Sequence, residues 1–117
     1  MIRRGAVAMV AFPFTDTGPA KVRPALVVQN DRDNQKIRKT IIAMITGTIR
    51  RRGDPSHLFI DPSNPEGASS GLRFPSLVSC NNLFTIEQDS ILQVIGHLSD
   101  TLQQQLNDCL KAALELP

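Results

Sequence analysis

The hydrophobic residues of this chain change period once, near residue 100, and that change limits the folds open to it. Before it, apolar residues gather in short β-type runs: Val7 to Phe12, Ala25 to Gln29, Thr40 to Thr46, His57 to Asp61, Ser76 to Cys80, Phe84 to Ile86 and Ile91 to His97. Pro and Gly punctuate the gaps, as in the turn-rich segment Pro62-Ser63-Asn64-Pro65-Glu66-Gly67, where strands must stop. After it, Leu102, Leu106, Cys109, Leu110, Ala113 and Leu114 fall along one helical stripe, with Gln103, Gln104, Asn107, Asp108 and Lys111 opposite. Ser99 is placed to cap that helix and Asp100 to favour its dipole, so a helix is predicted over Asp100 to Leu116. Short strands followed by one amphipathic helix predict a mainly β fold with α: a small, strongly bent antiparallel sheet or partly open barrel plugged by the helix. Two polar segments, Pro13 to Val22 and Asp31 to Lys39, are expected as long loops carrying much of the positive charge.

With 117 residues the chain has material for one domain with a modest core. The expected division is a barrel over about 1–98 and a terminal helix over about 100–116. Its five aromatic residues are Phe12, Phe14, Phe59, Phe74 and Phe84, with no Trp or Tyr. This argues against a broad base-stacking platform and leaves the core to Val, Ile and Leu. The apolar stretch Ala6 to Phe12 ends at Pro13, too short for a signal sequence or membrane span. Cys80 and Cys109 are expected to be reduced structural thiols in a cytoplasmic protein.

The net charge of +2 is uninformative, but its distribution is lopsided. Residues 1–52 hold eleven Lys or Arg against three Asp, and residues 53–117 hold two against eight acids. Charges of about +8 and −6 on the two parts point to one surface suited to a polyanion. No His-Glu-x-x-His or paired-Cys pattern is present, so no metal site and no cofactor is expected.

Three segments in order resemble the MazF/PemK-like toxin family. The first is Phe12-Pro13-Phe14-Thr15-Asp16 followed by Lys21-Val22-Arg23-Pro24-Ala25-Leu26-Val27-Val28 and Asn30-Asp31. The second is the apolar strand Ile41-Ile42-Ala43-Met44-Ile45-Thr46, and the third is Ile95-Gly96-His97-Leu98-Ser99 leading into the terminal helix. Together they span nearly the whole chain. The resemblance implies an SH3-like barrel with a C-terminal helix, usually a homodimer, acting as a toxin neutralised by a cognate antitoxin. It also implies metal-independent, sequence-specific cleavage of single-stranded RNA, chiefly mRNA. The family's catalytic arginine falls on Arg23 and its catalytic threonine on Thr46. Where the family often has Glu-Gln, near the fifth strand, this chain has Asn81-Asn82; Asn82 is therefore a candidate for reading bases. Gly5 is followed by Ala6 rather than the family's frequent acid.

The residue types suit that chemistry. RNA supplies its own nucleophile, the 2′-hydroxyl, whose attack yields a 2′,3′-cyclic phosphate and a 5′-hydroxyl. The protein must align it, stabilise charge on the phosphate and move protons. Arg23 presents a planar fork that stays charged and can hold two phosphate oxygens. Thr46 can donate to the same phosphate. An arginine is a poor proton acceptor, so the general base is left unassigned. Lys21, Arg50 of the run Arg50-Arg51-Arg52, and Ser76 are further candidates for substrate contact. His57 and His97 could form an acid–base pair, but a structural or solvent-exposed role is expected for both. The alternative function is a non-catalytic toxin or regulator on the same fold that binds a protein target such as gyrase.

Overall fold

The structure, a computed structural model, describes residues 2–12 and 21–117. Its strands are β1 (Ala6–Phe12), β2 (Lys21–Val27), β3 (Lys39–Thr46), β4 (His57–Ile60), β5 (Ser76–Glu87) and β6 (Ile91–His97). Helix α1 (Asp31–Lys36) lies between β2 and β3, and α2 (Asp100–Leu114) follows β6. The strands form one antiparallel sheet in the order β4-β5-β3-β2-β1-β6.

That sheet has two free edges, so the expected barrel is not closed. β4 and β6 do not pair; the segment after β4 crosses towards β6 instead. It includes Pro62, Pro65 and Pro75, which cannot donate to a ladder, and a single 3-10 turn at Ala68–Ser70. From that turn Ser69 Oγ donates to His97 O at 2.7 Å. The seam is thus bridged by a turn and not by strand pairing.

Both faces of the sheet carry a core. On one, Val7, Leu26, Ala43, Ile45, Leu58, Ile60, Val78 and Cys80 pack against Leu102, Leu106 and Cys109 of α2. On the other, Ala8, Val10, Phe12, Ala25, Val27, Ile42 and Ile86 form a second cluster. Double-sided burial explains why these strands read as apolar runs rather than alternating ones. The α2 stripe holds at Leu102, Leu106 and Cys109, whereas Leu114 is 52% exposed. Ser99 caps α2 as expected, accepting from Leu102 N at 3.2 Å. The helix stops at Leu114, two residues early, where Glu115 turns to φ 56° in a left-handed cap.

Two other expectations change. The loop expected over Asp31 to Lys39 contains α1. Asn30 Oδ1 accepts from Asp33 N at 2.8 Å and Asn30 Nδ2 donates to Asp33 Oδ2 at 2.9 Å, a reciprocal cap that nucleates one short helix. Asn34, buried, accepts from Gln29 Nε2 and Thr40 Oγ1 and donates to Gln29 O, tying α1 to β3. The runs Ser76 to Cys80 and Phe84 to Ile86 are one strand. Its pairing with β3 jumps from Ala43–Leu83 to Met44–Ser79, so Cys80, Asn81 and Asn82 have no partner on β3 and the exposed Asn81 and Asn82 bulge between two paired halves. Of the loop expected over Pro13 to Val22, residues 13–20 lie outside the described residues; Lys21 and Val22 open β2.

Candidate active site

The strand register collects the predicted residues at one end of the sheet. On β5, Leu77 pairs with Thr46 of β3 and with Phe59 of β4, and Ser79 pairs with Met44 and His57. Paired residues of antiparallel strands point to one side. Thr46, Leu77, Phe59, Ser79 and His57 therefore share a face, the one that carries the second core. The last pair between β2 and β3 is Ala25–Met44. Two residues beyond it on each strand stand Arg23 and Thr46, on that same face. Pro24 offers no N–H to extend the ladder, so the two strand ends are free of each other's hydrogen bonds beside Arg23.

An open cleft of about 680 Å³ lies on this face, lined by Thr46, Arg50, Arg51, His57, Ser79 and Asn82, among others. Thr46, Arg50 and Asn82 are thereby brought together. Arg23 and Lys21 are exposed at the start of β2; they are not among the lining residues. Ser76 is elsewhere. It pairs with Ile60, on the helix-covered face, is 6% exposed, and its Oγ donates to Phe74 O at 2.9 Å.

The segment between β3 and β4 brings the positive charge. Thr46 Oγ1 accepts from Thr48 N at 3.1 Å, which turns the chain at the end of β3 while leaving the hydroxyl proton to donate. Arg52 lies over the Phe59 ring, 4.8 Å from its centroid, anchoring the basic run by a cation–π contact. Arg50 and Arg51 remain on the cleft. The arrangement can hold a phosphate between guanidinium groups and a hydroxyl, with amides of Asn81 and Asn82 nearby to meet a base.

His57 also lines this cleft, although the sequence favours a structural role for it over an acid–base one. Its Nδ1 lies 3.5 Å from Asp54 Oδ1. Asp54 accepts from Ser56 N at 2.8 Å, and this bond, followed by His57 and Arg51, holds its carboxyl below the usual range. The signal available was the repeated Asp54-Pro55-Ser56 and Asp61-Pro62-Ser63 on either side of β4, two turns that fix where His57 enters the sheet. His97 is exposed at the far end of β6, on the edge strand away from the cleft.

Among the described residues no group of three His, Cys, Asp or Glu is placed to hold a metal. Both cysteines are free and buried, and burial, with Cys109 beside it, pushes the Cys80 thiol up to about 12. No helix among the described residues is long and apolar enough to cross a membrane.

Residues 3–114 match the family model described as PemK-like, MazF-like toxin of type II toxin-antitoxin system. The chain is 28% identical to endoribonuclease EndoA of Bacillus subtilis, covering 99% of this chain and 97% of that protein. It is 26% identical to endoribonuclease MazF of Staphylococcus saprophyticus, covering 99% and 93%. Its fold is similar to that of a mycobacterial endoribonuclease solved in complex with its cognate antitoxin, with TM-score 0.80, 23% identity, and 100% and 98% coverage.

Proposed function

Because the chain belongs to the PemK-like, MazF-like toxin family of type II toxin–antitoxin systems, we propose that it is an endoribonuclease cutting single-stranded RNA, chiefly mRNA. The observation that carries this reading is the shared end and shared face of Arg23 and Thr46, beside a cleft that also presents Arg50 and Arg51. Two full-length relatives named endoribonucleases support it.

In this mechanism the 2′-hydroxyl attacks the adjacent phosphorus in line, and the 5′-oxygen leaves. Products are a 2′,3′-cyclic phosphate and a 5′-hydroxyl. Arg23 holds the non-bridging oxygens as their charge grows, and Thr46 donates to the same phosphate. Both act more strongly on the transition state than on the bound substrate, which is what lowers the barrier. Arg50, Lys21 and Asn82 contact the flanking nucleotides, and no step asks for a metal. Ser76 is a lesser candidate, since a strand separates it from the cleft face. Residues 1–117 act as one such domain, in the cytoplasm and as a homodimer. The cognate antitoxin is expected to be an acidic, partly disordered peptide, complementary to the arginines around the cleft.

The test is incubation of the chain with a long single-stranded RNA in the presence of a chelator. Discrete fragments with cyclic phosphate ends are expected. Arg23→Ala and Thr46→Ala should each slow cleavage by about 10²–10³-fold with unchanged melting curves. Intact RNA, together with inhibition of gyrase, would favour the protein-binding alternative.

A further inference from the structure

One nitrogen in the cleft is sealed from solvent and has no hydrogen-bond partner. The His57 side chain is only 6% exposed, and among the described residues its Nδ1 is the one buried side-chain N or O atom without a hydrogen bond. A histidine kept merely for packing would normally have that nitrogen satisfied. Asp54 Oδ1 lies 3.5 Å away, beyond the length of a good hydrogen bond. A shift of a few tenths of an ångström would close it, and Asp54 is already fixed by Ser56 N.

The other ring nitrogen, Nε2, makes no hydrogen bond to a described residue, and the ring lines the cleft. Its position relative to Thr46 follows from register. His57 is opposite Ser79 and Thr46 opposite Leu77, so the two are two strands apart and two residues out of step. Standard strand spacings put their Cα atoms roughly 12 Å apart. Two side chains converging across that gap leave room for one ribose and its phosphate.

Resting on the endoribonuclease reading, we propose that His57 is the general base of the reaction and Asp54 its positioning residue. Neutral His57 accepts the 2′-hydroxyl proton at Nε2. The freed electron pair on O2′ forms the new bond to phosphorus. The bond from phosphorus to O5′ breaks, and O5′ keeps that pair and takes a proton from water. Asp54 holds the Nδ1–H, which fixes the tautomer with Nε2 free to accept, and steadies the imidazolium once formed. The charged groups facing the ring are Asp54, Arg50 and Arg51, all on the segment between β3 and β4; β5 contributes only the neutral Leu77, Ser79, Asn81 and Asn82.

The test is single-turnover cleavage of a single-stranded RNA across pH, with binding measured on the same RNA carrying a 2′-deoxy nucleotide at the cut site. His57→Gln should slow cleavage by about 10²–10⁴-fold, leave binding of the deoxy RNA nearly unchanged, and abolish the acid limb of the parent's pH–rate profile. Asp54→Asn should cost about tenfold and move that limb to lower pH, because the imidazolium loses its carboxylate. On RNA with sulfur in place of the bridging 5′-oxygen, whose leaving group needs no proton, His57→Gln should stay as slow relative to the parent. If His57→Gln does not melt cooperatively, the Asp54→Asn profile decides. Parent-like rates in His57→Gln, a loss confined to binding, recovery on the sulfur substrate or an unmoved limb in Asp54→Asn would overturn the proposal while leaving the endoribonuclease standing. A parent that leaves RNA intact would overturn both.

Discussion

Asp54 and Asp61 each accept the backbone N–H of the serine two residues on, Ser56 at 2.8 Å and Ser63 at 3.0 Å. Each carboxyl is held below its ordinary value of 3.8, Asp54 chiefly by the Ser56 N–H and Asp61 chiefly by the Ser63 hydroxyl. A carboxylate whose pKa falls on folding stabilises the fold at any pH above its unfolded value. That contribution declines once the unfolded chain begins to protonate and is gone below the folded value. The double variant Asp54→Asn/Asp61→Asn should therefore melt lower than the parent at pH 7. The gap in Tm should hold down to about pH 5 and close as pH falls further through the folded pKa values; a gap constant down to pH 2 would contradict the linkage. At this scale Arg23 and Thr46 were picked out by an ordered set of local motifs, and the strand register puts them at one end and on one face of the sheet. His57 was not, since its place in the cleft depends on pairing with Ser79, a contact 22 positions away in the chain.

Among the elements, α2 and β6 were readable to within a few residues because their signals are local: a period, a capping serine, a flanking turn. Helix α1 was expected as a loop because its six polar residues give too little apolar periodicity to distinguish the two. β5 read as two strands because Asn81 and Asn82 interrupt its apolar run, and only pairing on both sides shows that they bulge from one strand. The seam between β6 and the 3-10 turn is close-packed at Gly96, where an added Cβ would run into the backbone carbonyls of Ser69 and Ser70. Backbone cannot yield as a flexible side chain can. Gly96→Ala should destabilise the fold by about 2–3 kcal/mol, measured by urea unfolding. In contrast, Gly47→Ala, with nothing within 4 Å of the added atom, should unfold near the parent's midpoint.

For the whole molecule, the excess of positive charge in residues 1–52 divides into separate groups once folded. Arg4 is structural: its Nε donates to Val28 O at 3.0 Å and its guanidinium to Asn107 Oδ1 at 2.8 Å. Lys36 and Arg38 lie by α1, next to the first residue of β3, whereas Arg50 and Arg51 lie past its last. Eight residues of strand separate these groups by roughly 23 Å, well beyond the screening length of about 8 Å at physiological salt. Only the second group should release counterions from an RNA held in the cleft. Each phosphate contact on single-stranded RNA contributes about 0.7 to the slope of log K against log salt. Arg50→Gln/Arg51→Gln should thus flatten that slope by about 1.4, while Lys36→Gln/Arg38→Gln, with the same change in net charge, should leave it unaltered. Equal flattening by both pairs would mean that RNA senses net charge alone and that the cleft does not place it.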